Sequence, residues 1–266
     1  MLPFEDPISK SLELLLVTPI LVLNLLLFVK TVSAEKIKRD PWRWLVANTA
    51  LSMVIYHFFS LPYVSAGKEI PLIRSVARVG WCMKIIGGIL IITERFHALR
   101  LGKEREGGFE KKAAIILIVF FWLFSIVAMA MGIVFQYGNY GWFAMQTVIL
   151  LWATLTTLVV FIGTLVLRGR KTANEYIKNA VVRPALELSC MGFLCLGVPF
   201  LVQLTLVIIG AYYGHFALRL AWILSNAYDI AFPIVWIASW SRNREITLNC
   251  SGGEDESQTL LNNIEE

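Results

Sequence analysis

The sequence predicts an all-α membrane protein, a bundle of seven transmembrane helices, from its apolar composition, the spacing of its apolar runs and the placement of its basic residues. Of its 266 residues, 57% are hydrophobic and 16% charged, and the mean hydropathy is +0.67. A soluble domain of this length needs far more polar surface than that to cover its core. The chain supplies runs of the length a helix needs to cross a bilayer core of about 30 Å, roughly 20 apolar residues each, separated by short charged stretches.

The runs are Leu12–Val29, Trp44–Val64, Ser75–Leu99, Ala113–Phe135, Trp142–Leu167, Leu186–Ala211 and Phe216–Trp240. The charge-free stretch from Ala113 to Leu167 is too long for one helix, and its division is set at residues 136–141, where glycines and an asparagine favour a turn. The first run has too long an apolar core for a signal peptide, and no small-residue cleavage site follows it, so it is expected to remain as a helix. Residues 1–11 then form an extracellular N-terminus, 12–241 the membrane domain and 242–266 a cytoplasmic tail. From Asn249 onward that tail is acidic and rich in Gly, Ser and Glu, a composition expected to be mostly disordered.

Orientation follows from lysines and arginines, which short loops retain on the cytoplasmic side. The segments joining spans one to two, three to four and five to six, with the start of the tail, hold 18 of the 24 basic residues, and the opposite face holds five. The N-terminus is therefore expected outside and the C-terminus in the cytoplasm, at the plasma membrane. The net charge of +5 is explained by this asymmetry, with no nucleic acid as partner.

The cysteines exclude more than they suggest. Cys82, Cys190 and Cys195 lie inside runs and Cys250 in the tail, so no disulfide is expected and no spacing with histidine marks a metal site. Cys250 reads as a free thiol, with palmitoylation as the alternative. His57, His97 and His215 sit at different depths, which argues against an intramembrane hydrolase, and the last run has no lysine for a retinal Schiff base. No catalytic group, cofactor or metal is expected.

A charged side chain in hydrocarbon costs about 2.5–3.5 kcal/mol on insertion scales, so each one needs a partner or a role. Lys84 is about midway along the third run and Asp229 about midway along the seventh; if those helices touch, the two can neutralise each other. The alternative is an unpaired Lys84 in a water-filled crevice. Glu94 and Arg95 close the third run and, by composition alone, read as an interfacial charged pair.

Six motifs, in order, give these charges a setting. They are Asn24 within Leu23–Leu27; Asn48-Thr49-Ala50-Leu51-Ser52 followed by Pro62; Glu94-Arg95-Phe96; Trp122 with Ser125; Cys195 with Pro199; and Phe232-Pro233 with Trp236, followed by Ser241–Glu245. Together they resemble the rhodopsin-like G-protein-coupled receptors over nearly the whole chain. The departures are specific. Met53 stands in place of the family's span-two aspartate, Phe232 in place of its span-seven asparagine, Ile70 in place of its outer cysteine, and Cys195 and Pro199 are one residue further apart than in its span-six hinge, whose tryptophan is missing here. Such erosion in a short chain is shared with divergent chemosensory receptors such as the large nematode sets.

The resemblance implies a receptor for a small extracellular ligand, acting on a cytoplasmic heterotrimeric G protein. Glu94, Arg95 and Phe96 would form the coupling switch, and Pro199 and Pro233 the helix hinges. By the same alignment Lys84 and Asp229 fall on facing walls of the family's sodium pocket, so the ammonium is expected to replace the ion, held by the relocated carboxylate. The ligand pocket would draw on Tyr56, Tyr63, Arg78, Trp81, Gln146, Gln203, Trp222 and Asn226, aromatic and amide groups with an arginine, which suit a partly apolar ligand that is neutral or anionic. The alternative is a seven-helix transporter of a small solute, against which stands the lack of matching broken helices in two halves.

Overall fold

Among the described residues of the computed structural model, every regular element is a helix. The structure describes residues 7–33, 41–66, 71–101, 109–134, 138–168, 187, 189–198, 200–202, 205 and 224–238. Five long helices lead: α1 (Pro7–Val32), α2 (Pro41–Ala66), α3 (Pro71–Leu101), α4 (Lys111–Val134) and α5 (Gly138–Arg168). Two shorter apolar helices follow, α6 (Ser189–Val202) and α7 (Leu224–Ala238). The first five are long and apolar enough to cross a membrane.

Local chemistry explains where the helices begin. Prolines open α1, α2 and α3, where the ring's fixed φ suits the first turn and the missing N–H costs no bond. The expected division of the long apolar stretch falls between α4 and α5, but α5 starts at Gly138, inside the turn expected at residues 136–141 and four residues before Trp142. α1 likewise starts at Pro7, ahead of Leu12. The tail, with Cys250, lies outside the described residues.

Lipid cannot bond a stray hydroxyl, and the chain answers this locally. Thr31, Thr49, Ser52, Thr93, Thr154, Thr157 and Thr164 each donate to the carbonyl four residues earlier, so these polar residues ride inside apolar helices at little cost.

The bundle is built around α3. In its membrane-length stretch 83% of residues are buried, against 17% for α4. That difference puts α3 at the centre and α4 at the periphery, with Ile116, Phe120, Leu123, Phe124 and Val127 turned outward. α3 packs on α2, α4 and α5, α2 also on α1 and α4, and α5 on α6. α2 can lie close to α3 because glycines face it. A Cβ at Gly80 would fall 2.7 Å from the Tyr56 backbone nitrogen, which cannot yield, and one at Gly87 would collide with the Thr49 side chain. This close approach sets the stretch of α2 around residue 56 against Lys84.

In α6 the segment Phe193–Gly197 is wound as a π turn, with the Val198 N–H donating to the Phe193 carbonyl. Such a turn takes one more residue than an α turn. It includes Cys195. Pro199 itself lies outside the described residues.

Candidate functional site

Two buried charge clusters lie along α3, one at its middle and one towards its end. At the middle, the Lys84 ammonium donates to Asp229 Oδ2 of α7 at 2.5 Å, and Nε2 of His57, on α2, lies 2.7 Å from the same oxygen. All three side chains are buried. Both contacts load one carboxylate oxygen; Oδ1, also buried, has no partner among the described residues. The Tyr56 ring adds a face 4.4 Å from the ammonium and meets the His57 ring edge-on at 4.7 Å. The ammonium is thus held by a carboxylate and an aromatic face from two neighbouring helices.

Asp229 is also tied through its backbone. Pro233, four residues later in α7, has no N–H to give the Asp229 carbonyl, which would be left bare in the middle of the bundle. Asn24 of α1 donates its side-chain amide to that carbonyl at 3.0 Å. The asparagine of the first motif therefore closes the gap that the proline of the last one opens. Two further motif residues meet on the other side of α2, where Trp122 Nε1 of α4 donates to Asn48 Oδ1 at 2.7 Å.

Towards the end of α3, Arg95 grips Glu94 in a two-pronged pair, Nε to Oε2 and Nη2 to Oε1 at 2.7 Å. Glu94 is fully buried and Arg95 is 4% exposed. The Arg95 guanidinium also lies 4.8 Å from the Trp42 ring of α2, and Trp42 stacks on Trp236 of α7 at 5.2 Å between centroids. Phe96 turns away from this group towards α5, where a Cβ at Gly163 would come within 2.7 Å of its ring.

The expected pocket residues divide. Arg78 and Trp81 of α3 converge on Trp142 of α5, the guanidinium 4.9 Å from its ring and the two indoles edge-to-face at 5.4 Å. Gln146 is half-buried one turn further along α5. Asn226 is buried on α7, one turn before Asp229, and its amide nitrogen has no partner among the described residues. Tyr56 belongs to the charge cluster. Gln203 and Trp222 lie outside the described residues, as does the side chain of Tyr63.

Three contributors escaped the sequence reading: His57, Trp42 and Trp142. His57 carried a signal, since a histidine inside an apolar run needs a partner as much as Lys84 does. Trp42 lies just ahead of the second run and Trp142 opens the fifth, where an indole also suits the membrane interface; sequence alone does not tell such an anchor from a contact.

No family model matches the chain, and no curated protein matches it.

Proposed function

We propose that the chain is a seven-span receptor of the plasma membrane that passes the binding of a small extracellular ligand to a cytoplasmic heterotrimeric G protein, with its N-terminus outside and a chemosensory role. The observation that carries this reading is the Asn24 bond to the carbonyl freed by Pro233. Two motifs more than 200 residues apart, singled out for their resemblance to one receptor family, here complete each other's hydrogen bonding. The Asn48–Trp122 bond supports it in the same way.

In this reading the two clusters have different tasks. The Lys84 ammonium fills the place of a bound cation and joins α3 to α2 and α7. Arg95, held by Glu94, is the group that exchanges partners when the cytoplasmic end opens, a two-state element of the kind switches require. Arg78, Trp81 and Trp142 sit at the opposite end of α3, where a small anionic or neutral ligand would enter. The test is GTP-analogue loading of co-expressed Gα subunits, basal and under stimulation with chemical extracts, in wild type and Arg95→Ala at matched surface expression. Loading that Arg95→Ala abolishes is expected; no loading under any stimulus overturns the reading.

A transporter of a small solute is the second reading, and His57 is the observation that favours it. An imidazole sharing a carboxylate with an ammonium at mid-span is a group set that proton relays use. Uptake into proteoliposomes that depends on an imposed proton gradient, and that His57→Gln removes, would decide for transport.

A further inference from the structure

The end of the bundle where α3 stops gathers exposed charge of one sign. Phe109, half-buried, packs against His97 at 6.3 Å between ring centroids, which folds the chain leading into α4 back onto the last turns of α3. The Ala114 N–H then donates to the Glu110 carbonyl at 3.0 Å and closes the first turn of α4. Arg100 lies three residues past His97 and Lys111 two past Phe109, so the ring contact brings two basic helix ends together. Arg100, Lys111 and Lys112 are all exposed, and Glu110 is an exposed carboxylate beside them. Among the described residues this surface therefore carries three cations to one anion.

α7 ends beside the same surface. Trp236, two residues before the last of α7, stacks on Trp42, and Trp42 faces the Arg95 guanidinium. One indole thus bridges the ends of α7 and α3, and Arg100 is about 7.5 Å further along α3. The chain after Ala238 is tethered at this end of the bundle. From Asn249 onward it carries Glu254, Asp255, Glu256, Glu265 and Glu266 and neither lysine nor arginine. Acidic residues contribute little to membrane orientation, so the asymmetry that accounts for the basic residues does not account for this block. We propose that Glu254, Asp255 and Glu256 dock on Arg100, Lys111 and Lys112 of the same chain, so that the tail occupies the surface an anionic partner would need at this end of the bundle. Glu254 follows Ala238 by sixteen residues, a reach of up to about 55 Å when extended, and the bridging indole leaves a far shorter gap to span. A tether of this length holds the acidic block at roughly millimolar effective concentration, which lets ion pairs that are individually weak at a surface hold as a set. The proposal rests on where the helices end and on charge, and it stands whether or not the chain couples to a G protein.

The variant that tests it is Glu254→Gln with Asp255→Asn and Glu256→Gln, which alters no described helix. The full chain in phosphatidylcholine nanodiscs is acetylated briefly with an activated ester, and Lys111 and Lys112 are read by peptide mass spectrometry against Lys10, in the first turn of α1 at the opposite end of the bundle. At 0.01 M salt the ratio is expected to be lower in wild type than in the variant by roughly threefold, the scale of a set of exposed ion pairs. Raising the salt to 1 M shortens the screening length from about 30 Å to about 3 Å and should bring wild type up to the variant. A ratio equal in the two chains at low salt overturns the docking. Carbodiimide linkage of wild type, run on an equal mixture of isotopically light and heavy chains, identifies whose tail is bound. Links from Lys111 or Lys112 to the acidic block within one chain are expected; their absence, or links between light and heavy chains, overturns docking on the same chain.

Discussion

The two charge clusters of α3 are both buried and both centred on a cation with a carboxylate, yet they are built in opposite ways. At the middle of the helix the partners come from three helices, Lys84 from α3, His57 from α2 and Asp229 from α7. Towards the end both charges are adjacent residues of α3, and the Trp42 ring comes to them from α2. A pair spread over several helices binds them together; a pair within one helix does less to join that helix to its neighbours, and exchanging it loosens the bundle less. The first arrangement suits a structural anchor and the second a switch. Inside lipid the difference weighs more than in water, because helix association draws on packing and polar contacts, with no hydrophobic effect between helices.

This contrast can be broken by experiment, the largest effect coming from the anchor. Asp229→Ala leaves the Lys84 ammonium buried without its carboxylate, and breaking such a pair costs about 3–5 kcal/mol. Thermal unfolding in mild detergent should show the variant barely folded, with surface expression lost. Exchanging the two charges, Lys84→Asp with Asp229→Lys, should recover only part of that expression, because His57 then faces an ammonium in place of a carboxylate. Adding His57→Gln should recover more, and full recovery with His57 still present would show that the histidine is no part of the anchor.

Asn24→Ala comes next. It strips the Asp229 carbonyl of the Asn24 amide donor, and an orphaned buried acceptor costs about 1–3 kcal/mol. The expected result is a lower melting temperature at unchanged helix content by circular dichroism. Gly163→Ala should cost a similar amount, about 1–3 kcal/mol, by driving a methyl group into the Phe96 ring. Phe124→Ala, on the outward face of α4, should change stability by no more than about 0.5 kcal/mol, and a large loss there would mean that this face packs on protein.

How much of this was legible in the sequence differs between the two ends of the problem. The five long helices follow from apolar length alone, and the division between α4 and α5 was legible to within a few residues, although Gly138 and Gly141 of the expected turn are wound into α5. The meeting of Lys84 with Asp229 was reachable because each is costly alone in lipid and each lies at mid-run. His57 was harder to see, because a neutral imidazole is cheaper to bury than a charge and the neighbouring Tyr56 drew attention to a ligand pocket instead. The stack of Trp42 on Trp236 was not legible at all. Helices that are apolar on every side show no stripe that says which face meets which neighbour, and glycines such as Gly80 and Gly87, which decide the approach of α2, look like any others until the facing backbone is known.

The π turn of α6 bears on how this chain can change its length. In an α-helix each inserted residue rotates everything beyond it by about 100° and shifts it by about 1.5 Å, which would turn packed side chains out to lipid. A wider turn absorbs the insertion where it happens and leaves the faces on either side in phase. A residue added within such a turn therefore need not disturb the packing of the helix on either side of it. The turn Phe193–Gly197 is thus a place where the length of α6 can vary while its faces keep their neighbours.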